Sequence, residues 1–372
     1  MITQRNGWLW CAAAAVLFGA ATPATKLLVG DIHPVALAGL LYLGAAIAVA
    51  PFVTRDMPAR PTVGQRRRLM LAVILGGGIA PVLLVAALDR TRAATVSVLL
   101  NLELVATAVI ARLFLREHVG RRAAAGISLV AAGGIVLAGA KNEGLAVGAM
   151  LVIGACVCWG IDNAITASLD GYKPARIALT KGAVAGSVNV ILGIAIGGFP
   201  PVRLIVPALL IGAFGYGLSI TCWITGARLV GASRGQVIFA LAPFVGALLA
   251  WPVNDESPTK TLVVAGAISL LGVLVVASAD HGHDHTHDRI EHAHAINVSD
   301  PHHGDATIDV VAGHVHRHLD LTHRHEHLPD IHHRHEHGTA LGGSQRRSLR
   351  ARVVDRLQAE FHGTVGRWLR RD

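Results

Sequence analysis

Residues 1–279 alternate between long apolar runs and short polar breaks. An apolar run of about 20 residues crosses a bilayer as a helix. Ten such runs can be read, over 8–28, 34–54, 69–88, 93–114, 122–140, 145–168, 175–197, 205–229, 233–253 and 259–279. The breaks include Asp31–Pro34, Asp89–Arg92, Lys141–Gly144, Asp170–Pro174, Gly198–Pro201 and Asp255–Pro258. Connections this tight predict antiparallel neighbouring helices. The first run, preceded by Arg5 and rich in alanine, has the outline of a signal peptide. Nine further runs behind it make it the first helix of an all-α membrane protein. From residue 280 the pattern changes to polar and histidine-rich.

Composition narrows the class. Hydrophobic residues make up 52% of the 372, charged residues 15%, and mean hydropathy is +0.51. A soluble domain carries about 25% charged residues. A disordered chain, a collagen and an ordinary cytosolic enzyme are excluded. No nucleophile–base set, phosphate loop or catalytic metal motif is present, so the chain reads as a non-enzyme needing no cofactor. Cys11, Cys156, Cys158 and Cys222 all lie inside apolar runs and read as small packing residues.

Charge is split unevenly. Residues 1–279 hold 21 Lys and Arg against 10 Asp and Glu; residues 280–372 hold 12 against 14. The basic residues of the body sit between apolar runs, which is a loop pattern and not a nucleic-acid signal. With the N-terminus inside, the inner loops hold 13 Lys and Arg (Arg5; Arg55, Arg60, Arg66, Arg67, Arg68; Arg116, Arg121, Arg122; Lys173, Arg176; Arg228, Arg234). The outer loops hold 5: Arg90, Arg92, Lys141, Arg203 and Lys260. This bias predicts a multi-pass protein of the cytoplasmic membrane with both termini cytosolic.

A shift of 139 residues brings Val98 onto Val237, Leu102 onto Leu241, Ala108 onto Ala247 and Gly133 onto Gly272. The pair Glu117 and Glu256 is the most informative, because each ends an apolar run. A duplicated unit of five spans must turn its second copy upside down. Such inverted repeats, with substrate near the midplane, recur in secondary transporters. The run Val98-Leu-Leu-Asn-Leu-Glu-Leu-Val-Ala-Thr-Ala, with Leu115-Arg-Glu117 and Gly126, resembles the helix 4–5 signature of EamA-like transporters of the drug/metabolite transporter superfamily. Gly76-Gly-Gly-Ile-Ala-Pro81, Trp159-Gly-Ile-Asp-Asn163 and Lys181-Gly182 resemble one branch of that family. The resemblance spans residues 7–279. It implies ten helices around a central cavity and the movement of small metabolites. The expected domains are a first five-helix repeat over 1–140, a second over 141–279, a disordered tail over 280–344 and a basic amphipathic helix over 345–372.

Ionisable side chains inside a membrane are costly and mark functional positions. Lys26, Glu103, Arg112, Asp162 and Lys181 fall inside runs. Arg112 lies near a helix end, where snorkelling accounts for it. Lys26 is open to either snorkelling or a cavity role. Glu103 lies ten residues into its run, about 15 Å deep at about 1.5 Å per residue. A lone carboxylate there is hard to keep ionised. It reads as a proton-coupling or substrate-binding group with Asn101, Thr107 and Trp159 for neighbours, or as a protonated Glu bonded to a helix carbonyl. Asp162 and Lys181 each sit about six positions from one cytosolic turn, so they can pair. That pair either pins the hairpin or gates transport. Asn163 completes the motif beside Asp162. Pro81 and Pro243 fall near mid-span, where freed carbonyls can line a cavity; simple kinks explain them equally.

The tail carries 18 His between residues 281 and 337. Many alternate as His-x-His: His281, His283, His285 and His287; His292 and His294; His314, His316 and His318; His323, His325 and His327; His332, His333, His335 and His337. Neutral imidazole suits Zn, Ni, Co and Cu, so metal binding is expected. Little apolar mass predicts disorder without metal. In Arg346–Arg371, Leu349, Val353, Leu357, Phe361, Val365, Trp368 and Leu369 make a stripe at helical spacing. That suits a helix lying on the inner leaflet or, alternatively, one that docks on a protein partner.

The leading reading is a secondary transporter of a small organic metabolite, with export the favoured direction and a metal-binding regulatory tail. Its partners are lipid, substrate and a coupling ion, H+ or another; a homodimer is left open. One alternative is a divalent transition-metal transporter with the tail as a chelating antechamber. The other is a membrane-bound metal buffer or sensor that transports nothing.

Overall fold

A computed structural model describes residues 2–53, 62–115, 119–139, 143–167, 169, 172–230, 232–278, 282–287, 291–294, 314–317 and 321–326. Among them are ten helices long and apolar enough to cross a membrane. In chain order they are span 1 (Asn6–Lys26), span 2 (Pro34–Phe52), span 3 (Val63–Arg90), span 4 (Ala93–Leu113) and span 5 (Arg121–Ala138). Span 6 (Ala146–Thr166), span 7 (Pro174–Gly197), span 8 (Val202–Ala227), span 9 (Gly235–Asn254) and span 10 (Lys260–Ala277) follow. Each expected run overlaps one span.

The ends follow local chemistry. Pro34 and Pro174 open spans 2 and 7, where a missing N–H costs nothing. Gly198, at φ +80°, closes span 7. Span 3 starts at Val63, earlier than its apolar run. The Thr62 hydroxyl accepts from the Gln65 N–H at 3.2 Å, and the Gln65 carboxamide accepts from the Thr62 N–H at 3.0 Å. This reciprocal cap starts the helix ahead of the apolar stretch. Arg66, Arg67 and Arg68, expected in a loop, are therefore helical.

Four spans are interrupted. Span 3 widens into a π-helical turn over Val73–Ile79, and span 8 does so over Ala213–Leu218. Span 4 breaks between Leu99 and Leu102, and span 9 between Phe239 and Ala242. Span 5 at Arg121–Ala138 and span 10 at Lys260–Ala277 lie 139 residues apart at both ends.

Packing uses small residues. A Cβ on Gly126 would fall 2.6 Å from the Gly272 carbonyl, and one on Gly272 would fall 2.7 Å from that of Gly126. Spans 5 and 10 thus meet backbone to backbone, as helices in lipid do. Span 2 packs on span 7. Span 1 packs on spans 8 and 9, while span 6 packs on spans 3 and 4. The outside is apolar: Ile135, Met150, Leu248 and Val202 are each more than two-thirds exposed. Such a surface suits hydrocarbon as its solvent.

The chain divides into two units, with the helical body in one and Asp280–Arg346 as the other. In the second, β1 (Gly282–His287) pairs antiparallel with β4 (Leu321–Glu326), and β2 (Glu291–His294) with β3 (His314–Arg317). The sequence predicts disorder in this tail without metal; the two short ladders lie inside it. His-x-His alternation has the two-residue period of a strand, a signal that composition alone hides. The amphipathic helix expected over 345–372 lies outside the described residues.

The charge bias gives the first prediction. Reporter fusions after Arg68 and after Asp280 should both read cytosolic. An outside reading from either reverses the orientation.

Candidate functional site

Span 3 prepares the site through its backbone. In a π-helical turn each N–H bonds the carbonyl five residues back, and the Ala80 N–H bonds Leu75 in this way. The next donor in that register is Pro81, which has no N–H. The Gly76 carbonyl therefore loses its helical partner. The Tyr42 hydroxyl donates to it at 2.7 Å and the Trp159 indole N–H at 3.1 Å. Beyond it, the Asn189 amide donates to the Gly78 carbonyl at 3.1 Å. Spans 2, 6 and 7 are thereby tied to the turn in span 3. Gly76 is needed at this contact, because a Cβ there would occupy the place of the Asp162 carboxylate.

Asp162 is buried at this contact, 4% exposed. The Lys181 ammonium lies 2.6 Å from each of its carboxylate oxygens. The Thr166 hydroxyl donates to the Asp162 carboxylate at 3.2 Å, and Lys181 also reaches the Thr166 oxygen at 3.4 Å. The pair joins spans 6 and 7 beside the wide turn. One residue along span 6, the Asn163 amide donates to the Glu103 carboxylate at 3.0 Å and to the Thr107 hydroxyl at 3.3 Å. Glu103 lies within electrostatic reach of both Asp162 and Lys181. Two carboxylates thus share one neighbourhood with one ammonium. Tyr216 of span 8 stands 6.1 Å from the Tyr42 ring, centre to centre.

Of the residues singled out from the sequence, Glu103, Trp159, Asp162, Asn163, Lys181 and Pro81 meet here. Asn101 is buried at the break in span 4, where its amide donates to the Val98 carbonyl at 3.0 Å. Pro243 opens the second segment of span 9. Lys26 is at another place, donating to the carbonyls of Leu88 and Thr91. Tyr42, Thr166 and Asn189 also belong to the cluster, although none of them carries a charge. Each is a polar residue within an apolar run, and that signal was present.

Lys26 lies at a second, polar cavity of about 490 Å³, which Arg92, Thr95 and Glu256 also line. The buried Glu256 carboxylate accepts the N–H groups of Ala93 at 2.7 Å and Ala94 at 2.9 Å. It thereby caps the start of span 4, a favourable place for an anion. Its counterpart Glu117 lies outside the described residues. Among the described residues no group of three or more His, Cys, Asp or Glu side chains is gathered to hold a metal ion.

Comparison with known proteins agrees with this architecture. The model of the EamA-like transporter family matches twice, over residues 5–139 and 146–278. An uncharacterized transporter from Methanothermobacter thermautotrophicus is 25% identical over 298 residues, which covers 73% of this chain and 85% of that protein. A crystal structure at 17% identity superposes with a TM-score of 0.54 over 73% of this chain and 97% of its own.

Proposed function

The chain belongs to the EamA-like transporter family, and from that premise we propose a secondary transporter that moves a small organic metabolite across the cytoplasmic membrane, by preference outward. One observation carries this reading. A polar cluster of Glu103, Asn163, Asp162 and Lys181 sits inside apolar helices, against a helix whose carbonyls are freed. Charge at that position is costly and needs a use. Glu103 serves as the carboxylate that binds substrate or a coupling proton. Trp159 and Tyr42 supply flat faces and fix the backbone beneath. The Asp162–Lys181 pair holds spans 6 and 7 together.

The working architecture is a five-plus-five inverted repeat. Its support is the family model matching twice and packing that is preserved when each span is exchanged with the one five later: span 1 on 8 and 9 becomes span 6 on 3 and 4. Both termini lie in the cytosol, where the histidine-rich tail binds transition-metal ions and regulates the body. Movement of the metal itself is the second reading. The deep cluster offers it two carboxylates, one already held by Lys181, and among the described residues no imidazole or thiolate is bonded to it.

Uptake into proteoliposomes tests both, using panels of metabolites and of Zn, Ni and Co, with the full chain and with a chain ending at residue 280. Metabolite flux that survives removal of the tail supports the proposal. Metal flux that disappears with the tail, in the absence of metabolite flux, replaces it with the antechamber reading.

A further inference from the structure

Lys26 ends span 1, Arg90 ends span 3, and Glu256 and Thr259 lie between spans 9 and 10. All four line the polar cavity. The cavity therefore lies at one membrane face, with Asn6 and Ala277 towards the other. The pair of Asp162 and Lys181 is nearer that other face, since span 6 ends at Thr166 and span 7 starts at Pro174. A cavity of about 490 Å³ has room for a small organic molecule.

Its charges do not balance. Lys26, Arg90 and Arg92 line it against Asp89 and Glu256, three cations against two carboxylates. Arg90 pairs with Asp89 at 3.7 Å and Arg92 with Glu256 at 3.8 Å. Among the described residues Lys26 meets no carboxylate; its ammonium donates to the carbonyls of Leu88 and Thr91. Carbonyls solvate the ammonium without neutralising it. An ammonium carries three N–H donors, so one is left over. Thr95 supplies a second donor. It is 5% exposed and lines the same cavity, and nothing among the described residues is bonded to its hydroxyl. A buried hydroxyl without a partner is costly, and a bound acceptor removes that cost.

We propose that this cavity is an anion site, which takes the carboxylate of a small organic acid on the Lys26 ammonium and the Thr95 hydroxyl. One surplus positive charge matches one negative charge, and two carboxylate oxygens match two donors. The phosphodiester of an anionic lipid carries the same single charge, and the test separates the two. The proposal rests on the transporter reading and deepens it. The metabolite bears a carboxylate, held at this face by Lys26 and Thr95 and passing the cluster around Glu103 on its way across.

The probes are benzoate and acetate, with benzamide as the neutral analogue of benzoate. They are titrated by NMR against the full-length protein in phosphatidylcholine nanodiscs at constant ionic strength. Both acids should bind, and benzamide should not. Thr95→Val should weaken benzoate about tenfold, the scale of one hydrogen bond to a charged group. Since that hydroxyl holds nothing in the described chain, the fold should survive its loss. Lys26→Met should weaken benzoate at least as much. Lys260→Met removes a charge from the same face outside the cavity and should change nothing. Failure of both acids to bind, equal binding of benzamide, or full affinity in Thr95→Val overturns the proposal. Competitive displacement of benzoate by phosphatidylglycerol in the nanodisc would give the site to a lipid headgroup and overturns it too. Flux into proteoliposomes separates the two claims. Metabolite flux without carboxylate binding removes the site and keeps the transporter. Carboxylate binding with the expected pattern, on a chain that moves nothing, keeps the site and removes the transporter.

Discussion

Lys181→Met should cost the purified protein about 3–5 kcal/mol, the largest stability loss expected of any single change in the body. Asp162 is buried, and both its oxygens lie 2.6 Å from the Lys181 ammonium. Without that ammonium a carboxylate stays in an apolar interior with one hydroxyl, that of Thr166, for a partner. Gly76 of span 3 packs directly against that carboxylate. Asp162→Asn should be comparably harmful, because it strands the ammonium. The double variant Asp162→Asn with Lys181→Met removes both charges and should recover a large part of the loss. A double-mutant cycle on denaturant unfolding in micelles measures the coupling, which exceeds about 3 kcal/mol if the double variant is more stable than either single one. Simple additivity would mean the two charges do not act as a pair.

Glu103→Gln should leave insertion and folding intact yet lower coupled transport on the order of 10²-fold or more, the scale of a lost positioned proton carrier. The amide oxygen can still accept from Asn163, so the local hydrogen bond survives. The charge and the exchangeable proton disappear. Proteoliposome flux under an imposed pH gradient separates these effects. Loss of gradient-driven flux with exchange of substrate retained assigns Glu103 to the proton. Loss of both assigns it to substrate. Full activity would reduce it to a packing residue.

The polar cluster and the tail were unequally legible. Glu103, Asp162 and Lys181 announce themselves, because a charge within an apolar run is rare and expensive. Their spacing from a common turn also predicts the Asp162–Lys181 pair. The Gly76–Pro81 stretch is visible as a helix breaker. Its effect is not, because a missing N–H at Pro81 tells nothing of which side chains will reach the freed carbonyl. Tyr42, Trp159 and Asn189 arrive there from three other spans. In the tail, His-x-His alternation reads as composition until the register sets His283 against His325 and Asp284 against Arg324.

By itself, the sequence determined what depends on distance along one chain. That includes ten membrane spans, the breaks between them, the position of Glu103 ten residues into its run and the change of character after residue 279. A bilayer is a uniform solvent, and each span answers to it separately through its own length and polarity. The tertiary structure decided what depends on which helix lies beside which. It left Asn101 to its own turn, put Lys26 at a different cavity from Glu103, and fitted Asp162 against Gly76. Lipid gives apolar helices little reason to prefer one neighbour over another. That choice rests on the close fit of small residues and on a few buried polar bonds, and these exist only once the helices have met.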